Sequence, residues 1–203
     1  MFTFKYKYNL LNFKDITNIK KKYKIKKLKI LDYGCGIGVW KKNNLKKNIS
    51  KIYLYDKNKE LLPILKKKYD DEKVKLIFNH SIIFKPSVNL IVLSSVLQYL
   101  NNDEFDDLFK KFIKIYKNKK IIIFINDHPL VSRYVELFLL PFVNWDKFFY
   151  SISLIFNFRY LKTRYFFHNI LKKKIIKKNY NIINTKYMSD MKILRGKILL
   201  ELK

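Results

Sequence analysis

The residues best suited to holding a ligand lie in Asp32-Tyr33-Gly34-Cys35-Gly36-Ile37-Gly38, where an acid closes the short apolar run Lys27 to Leu31 and glycine then recurs at every second position. Glycine removes the Cβ that keeps a ligand off the backbone, and it permits positive φ in the turn. A helix following such a turn offers free N–H groups and the positive end of its dipole to a polar or anionic group. Three of the chain's 4 glycines fall here. Chance clustering explains that poorly, and the segment reads as a nucleotide-binding loop. A dinucleotide-type G-x-G-x-x-G would place its third glycine at position 39, but that residue is Val39 and the glycine is Gly38. The spacing therefore speaks against a nicotinamide-dependent reductase.

Groups able to move a proton are few. His128 follows Asp127 in Asn126-Asp127-His128-Pro129, directly after the apolar run Lys120 to Ile125. An imidazole titrates near neutrality, and Asp127 is placed to orient it or to act as the base itself. The competing reading is a turn in which Asp127 caps the next helix and His128 packs beside Pro129. His80 reads as a surface-loop histidine that could border a ligand, and His168, amid Tyr165-Phe166-Phe167, as a packed one. Cys35 is the single cysteine. It has no disulfide partner and no activating base beside it, so its thiol is read as structural. Three scattered histidines and one cysteine give no ligand spacing for a metal site.

The pattern acid-x-Gly-x-Gly-x-Gly, Asp32 to Gly38, resembles the first motif of class I S-adenosylmethionine-dependent methyltransferases. Later segments of the chain are similar to that family too. Ile52-Tyr53-Leu54-Tyr55 is a second apolar run ending in Asp56, 18 residues after Gly38. The resemblance implies that Asp56 accepts hydrogen bonds from the cofactor's ribose hydroxyls, a role that suits a carboxylate. It implies that Asn79, past a third strand at Val74 to Phe78, faces the adenine ring. It also places Ser94 and Ser95, together with Gln98, where a strand-to-helix segment covers the cofactor and borders the acceptor. Asp32, Gly34, Cys35, Gly36 and Gly38 complete the implied cofactor site, and S-adenosylmethionine is the implied cofactor. A Pro-Pro-Tyr/Phe motif after the fourth strand is missing, which disfavours methylation of adenine or cytosine amino groups. Ser94 to Leu100, with an Asp near a Pro after the fifth strand, is similar to bacterial methyltransferases of surface-polysaccharide biosynthesis. An unidentified small-molecule or glycan hydroxyl is the acceptor this implies. An RNA methyltransferase and a non-catalytic, methyltransferase-like scaffold are the alternatives.

These groups must be positioned by an α/β framework. Asn89 to Leu93 is a continuous apolar run, as a parallel strand buried on both faces requires. Lys59 to Tyr69 has a helical pattern, and Tyr180 to Lys186 and Lys197 to Leu202 supply strands six and seven. The expectation is a single Rossmann-like domain over residues 1–203, a seven-stranded mostly parallel sheet with an antiparallel last strand. Residues 1–26 are expected to form an N-terminal helical cover, and 130–178 a helical insertion between strands five and six.

The net charge is +28, from 44 basic and 16 acidic residues. Taken alone this points to nucleic acid or an anionic membrane surface. The excess is nearly all Lys, accompanied by abundant Ile, Asn, Tyr and Phe, the composition that A- and T-rich codons also produce. The runs Lys20-Lys21-Lys22, Lys66-Lys67-Lys68 and Lys172-Lys173-Lys174 flank expected helices as solvated faces do. The aromatic stretch 134–160 is broken by Glu136, Asp146, Lys147 and Arg159, so it is too short to span a bilayer. It reads as a lid, a protein contact or a peripheral membrane contact. With no signal peptide evident, a cytoplasmic location is expected, with peripheral membrane contact as an option.

Overall fold

The computed structural model describes residues 13–38, 40, 49–79, 82–83, 87–116, 119, 121–129, 138, 180–187 and 195–202. In chain order the elements are α1 (Phe13–Lys22), β1 (Leu28–Tyr33), β2 (Ile49–Tyr55), a 3-10 turn (Lys59–Leu61) running into α2 (Leu62–Lys68), and β3 (Val74–Ile77). Then come β4 (Leu90–Ser94), a second 3-10 turn (Leu97–Tyr99), α3 (Asn102–Tyr116), β5 (Ile122–Pro129), β6 (Tyr180–Tyr187) and β7 (Arg195–Leu202). The helix expected after the glycine loop, the insertion at 130–178 apart from Phe138, and His80 and His168 lie outside the described residues.

The strands form one sheet in the order β3-β2-β1-β4-β5-β7-β6. The first five run parallel, and β7 is antiparallel to both β5 and β6. This is a Rossmann-like α/β sheet, mostly parallel with an antiparallel last strand. The order reverses between β1 and β4. In open α/β sheets the crevice beyond the carboxyl ends of the strands at such a reversal is where ligands bind.

Each face of the sheet is closed by helices whose apolar residues recur at helical spacing. On one face Phe105, Leu108, Phe109, Phe112 and Tyr116 of α3 cover Leu31, Ile91, Leu93, Ile123 and Ile125. The Phe105 and Phe109 rings stack at 4.5 Å. A capping box starts this helix: the Asn101 side chain accepts from the Glu104 N–H (2.8 Å), and Glu104 accepts from the Asn101 N–H (2.9 Å). On the other face Ile16 and Ile19 of α1, Leu65 of α2, Trp40 and Tyr69 cover Ile30, Ile52, Leu54, Val92 and Phe124. Fully burying each large side chain is worth roughly 1.5–3 kcal/mol. Apart from Lys29 at the amino end of β1, central strands β1 and β4 are therefore apolar on both faces, and Asp32 and Ser94 gather at the carboxyl edge.

Strand β5 continues past the apolar run and holds His128 near its carboxyl end, as expected. It runs through Pro129, so Asn126 to His128 belong to the strand rather than to a turn beyond it. The reason is β7, which pairs with Ile125 through Ile198, skips a register at a bulge, and resumes opposite His128 and Pro129 with Gly196 and Arg195.

Candidate functional site

The glycine loop is held by the end of β2. The Tyr55 carbonyl accepts from the Gly34 N–H (2.7 Å) and the Cys35 N–H (3.0 Å), and the Cys35 carbonyl accepts from the Gly38 N–H (2.9 Å). All three loop glycines have positive φ: +74° at Gly34, +55° at Gly36 and +73° at Gly38. Their surroundings differ. A Cβ on Gly34 would stand 2.5 Å from a Val96 methyl, and one on Gly38 would stand 2.5 Å from the Tyr69 ring. A Cβ on Gly36 would meet nothing within 4 Å. Gly34 and Gly38 thus answer to packing, and Gly36 leaves an open backbone face.

Asp56 ties this face to a cavity. Its Oδ2 accepts from the Gly36 N–H (2.8 Å) and its Oδ1 from the Asn58 N–H (2.9 Å). The same residue lines a cavity of about 600 Å³ formed by Tyr33, Tyr55, Phe78 and Asn79 at the strand ends and by Leu100, Glu104, Asp107 and Lys111 around the start of α3. That volume suits a nucleoside-sized ligand. Tyr33 and Tyr55 lie with ring centroids 5.1 Å apart. Burial first, then the neighbouring Tyr55, Glu104 and Asp56, push the Tyr33 phenol up to about 12. It stays neutral and acts as an apolar wall with a hydroxyl. Across the cavity Lys57 pairs with Glu104 at 3.3 Å.

Asp32 is the buried charge of the site. It is 1% exposed. Burial pushes its carboxyl up to about 7, the Trp40 indole hydrogen bond opposes that, and the nearby Asp56 charge adds to it. Trp40 Nε1–H donates to Oδ2 at 2.7 Å. Oδ1 is buried and has no partner among the described residues. A carboxylate in that state calls for a proton or a cation. Cys35, beside it, has its thiol pushed well up by burial and by the charges of Asp32 and Asp56. That is opposite to what a nucleophile needs, and it fits the structural reading.

Ser94 and Ser95 close β4 at the neighbouring position. Ser94 Oγ accepts from the Asn126 side chain (2.9 Å), and the Ser95 N–H, on a residue with φ +56°, donates to the Asn126 carbonyl (3.0 Å). The chain thus brings Asp32, Gly34, Gly36, Asp56, Asn79, Ser94 and Ser95 to one edge of the sheet. His128 and Asp127 reach that edge at the end of β5.

Three residues were missed by reading the sequence. The Trp40 N–H donates to the Tyr69 hydroxyl at 2.9 Å, so a tyrosine at the end of α2 fixes the residue that grips Asp32. Lys68, next to it, caps the carbonyls of Ile37 and Gly38. Nothing local signals these contacts, since Tyr69 is 29 residues from Trp40. The available hint was a tryptophan two residues past a glycine loop, where an indole N–H needs a partner if buried.

No protein-family model matches the sequence, and no curated protein is similar to it in sequence. Solved structures are similar in fold. Magnesium protoporphyrin IX methyltransferase from Synechocystis, with bound S-adenosylhomocysteine, superposes with a TM-score of 0.62 at 10% identity, covering 94% of this chain and 80% of that one. The methyltransferase domain of a bacterial Hen1 protein gives 0.60 at 14% identity, covering 94% and 97%. An O-methyltransferase family 2 protein from Planctomyces limnophilus, in complex with apigenin, gives 0.60 at 19% identity, covering 86% and 50%. At such identities the likeness is one of fold, and the fold is that of class I S-adenosylmethionine-dependent methyltransferases.

Proposed function

We propose that this chain binds S-adenosylmethionine and transfers its methyl group to a hydroxyl of a small molecule or glycan precursor. The observation that carries the reading is the pairing of a buried Asp32 oxygen, without a partner among the described residues, with the open backbone face at Gly36, beside a carboxylate, Asp56, that lines a nucleoside-sized cavity. These residues fit the cofactor's three polar parts. Asp32 supplies the counter-charge for an ammonium, Gly36 lets the chain of the ligand lie on the backbone, and Asp56 has acceptor capacity for a ribose diol. Asn79 and the aromatic walls would take the base.

The bound cofactor supplies an electrophilic methyl group. The protein's share is to hold the acceptor in line, exclude water and take up the hydroxyl proton. His128 is proposed for that proton, with Asp127 beside it, because the end of β5 lies along the edge where Ser94, Ser95 and Asp32 gather. Hydroxyl methylation is further supported by the missing Pro-Pro-Tyr/Phe motif and by the fold's likeness to an O-methyltransferase family 2 protein.

Two variants separate binding from chemistry. In assays with methyl-labelled cofactor and small-molecule hydroxyl pools, Asp56→Ala should lose S-adenosylhomocysteine affinity by about 30-fold, close to 2 kcal/mol. His128→Ala should keep that affinity and slow transfer by roughly 10²–10⁴. Unchanged transfer in His128→Ala would remove it as the base. Unchanged affinity in Asp56→Ala would remove the ribose assignment.

A further inference from the structure

We propose that residues Lys20 to Lys29 form a phosphate-binding face for a nucleic acid, on the edge of the sheet opposite the candidate site. Seven of these ten residues are lysine, and no acid occurs between Asp15 and Asp32. The whole chain has 44 basic residues in 203, so the local density is about three times the average. Lys21, Lys22, Lys24, Lys26, Lys27 and Lys29 are exposed. They sit around the end of α1 and the start of β1, whereas the cavity lies at the other end of the strands. The 6 residues of β1 separate the two, about 20 Å at the usual rise per residue.

The array is built into the fold. Ile16 and Ile19 anchor α1 in the core. The helix closes with the Ile25 N–H donating to the Lys20 carbonyl (3.0 Å) and the Lys24 N–H to the Lys21 carbonyl (3.1 Å), with Lys24 at φ +50°. Asn89 then brackets the entry to β1, its side chain accepting from the Lys29 N–H (2.9 Å) and donating to the Lys27 carbonyl (2.8 Å). Among the described residues Asp15 is taken by Lys197 at 2.7 Å, and Glu201 acts on Tyr23, within the cluster.

A nucleic acid fits this face better than a bilayer. Within 20–29 Leu28 is buried, and Tyr23 and Ile25 are half-buried against the core. The exposed large apolar side chains among the described residues are Ile37, Ile64, Phe78, Ile82, Tyr99 and Phe138, all outside it. Stable membrane attachment needs apolar insertion along with charge. Binding a phosphate backbone needs charge alone. Lysines act there as point charges rather than base-reading forks, so the face should grip without sequence preference. Methyltransferase activity is not required for this binding, and its failure leaves the cofactor reading untouched.

The test compares two six-fold variants of the full chain by fluorescence anisotropy with a labelled 20-nucleotide RNA of mixed sequence, over a salt series. One carries Lys→Gln at 21, 22, 24, 26, 27 and 29. The other carries Lys→Gln at 14, 66, 67, 75, 110 and 114, equally exposed lysines placed elsewhere. Both must show wild-type circular dichroism; a cluster variant that fails to fold is replaced by the six single substitutions, whose losses are compared with those of the six control singles. The cluster variant should lose at least about tenfold in affinity, and its salt slope should fall by about 2 to 4, with the control variant close to wild type. Equal losses in the two variants would overturn the proposal, since the charge would then act as a whole. So would cluster-dependent binding to vesicles containing phosphatidylglycerol without RNA binding.

Discussion

Asp32→Asn should make the protein more stable and less able to bind its cofactor. Burial holds the Asp32 carboxyl near 7 in the folded chain, against 3.8 for an exposed one. The folded state therefore keeps its proton to higher pH than the unfolded state. Its contribution to stability is fully present below pH 4, is lost as pH rises from about 4 to about 7, and stays lost above that. A three-unit difference corresponds to roughly 4 kcal/mol of penalty at pH 8. An asparagine of the same shape can still accept from Trp40, and its unpartnered amide gives back roughly 1–2 kcal/mol. Urea unfolding at pH 8 should thus show a gain of about 2 kcal/mol in the variant, and at pH 4 no gain. Calorimetry should show S-adenosylhomocysteine binding at least about tenfold weaker, because the counter-charge for the ammonium is gone. Equal stability at pH 8 would mean the buried charge is not penalised. Full affinity would mean Asp32 does not face the ligand.

The loop glycines should separate into two kinds when each is replaced by alanine. At Gly38 the new methyl would stand 2.5 Å from the Tyr69 ring, which is buried and bonded to the Trp40 N–H. Left-handed backbone costs about 1–2 kcal/mol for an L residue, and overpacking a buried ring adds roughly 1–3 kcal/mol. Gly38→Ala should therefore lose about 3 kcal/mol by urea unfolding. At Gly36 only the backbone cost applies, since a Cβ meets nothing within 4 Å. Gly36→Ala should fold with a loss of about 1 kcal/mol, yet bind S-adenosylhomocysteine at least about tenfold more weakly. A Gly36→Ala protein that binds normally would show that the open face is not where the ligand lies.

Much of this was legible in the sequence because its signals are local. The glycine loop declares itself through residues that lie within one turn. Strand β4 declares itself because a strand buried on both faces must be apolar throughout, and Leu90 to Leu93 are. Asp56 was singled out through the resemblance, as the acid that ends the second apolar run, and its hydrogen bond to the Gly36 N–H now ties it to the loop. What stayed hidden depends on partners far away in the chain. The length of β5 is decided by β7, some seventy residues later, and the bulge after Ile125 comes from their pairing. The clamp on Asp32 depends on Trp40 and Tyr69 meeting across the face of the sheet. The cavity is walled by α3, whose Glu104 looks in sequence like a helix-starting acid and nothing more. The lysine cluster lies wholly within ten consecutive residues, of which only the run Lys20 to Lys22 was singled out, but its place at the end of the sheet away from the glycine loop depends on how α1 and β1 pack.

Titration of S-adenosylhomocysteine into the wild-type protein by calorimetry, with NADH as the contrasting ligand, tests the cofactor reading most directly. Micromolar, one-to-one binding of the homocysteine ligand with no response to NADH is the expected result. A well-folded protein that binds neither, or that binds NADH instead, would contradict it.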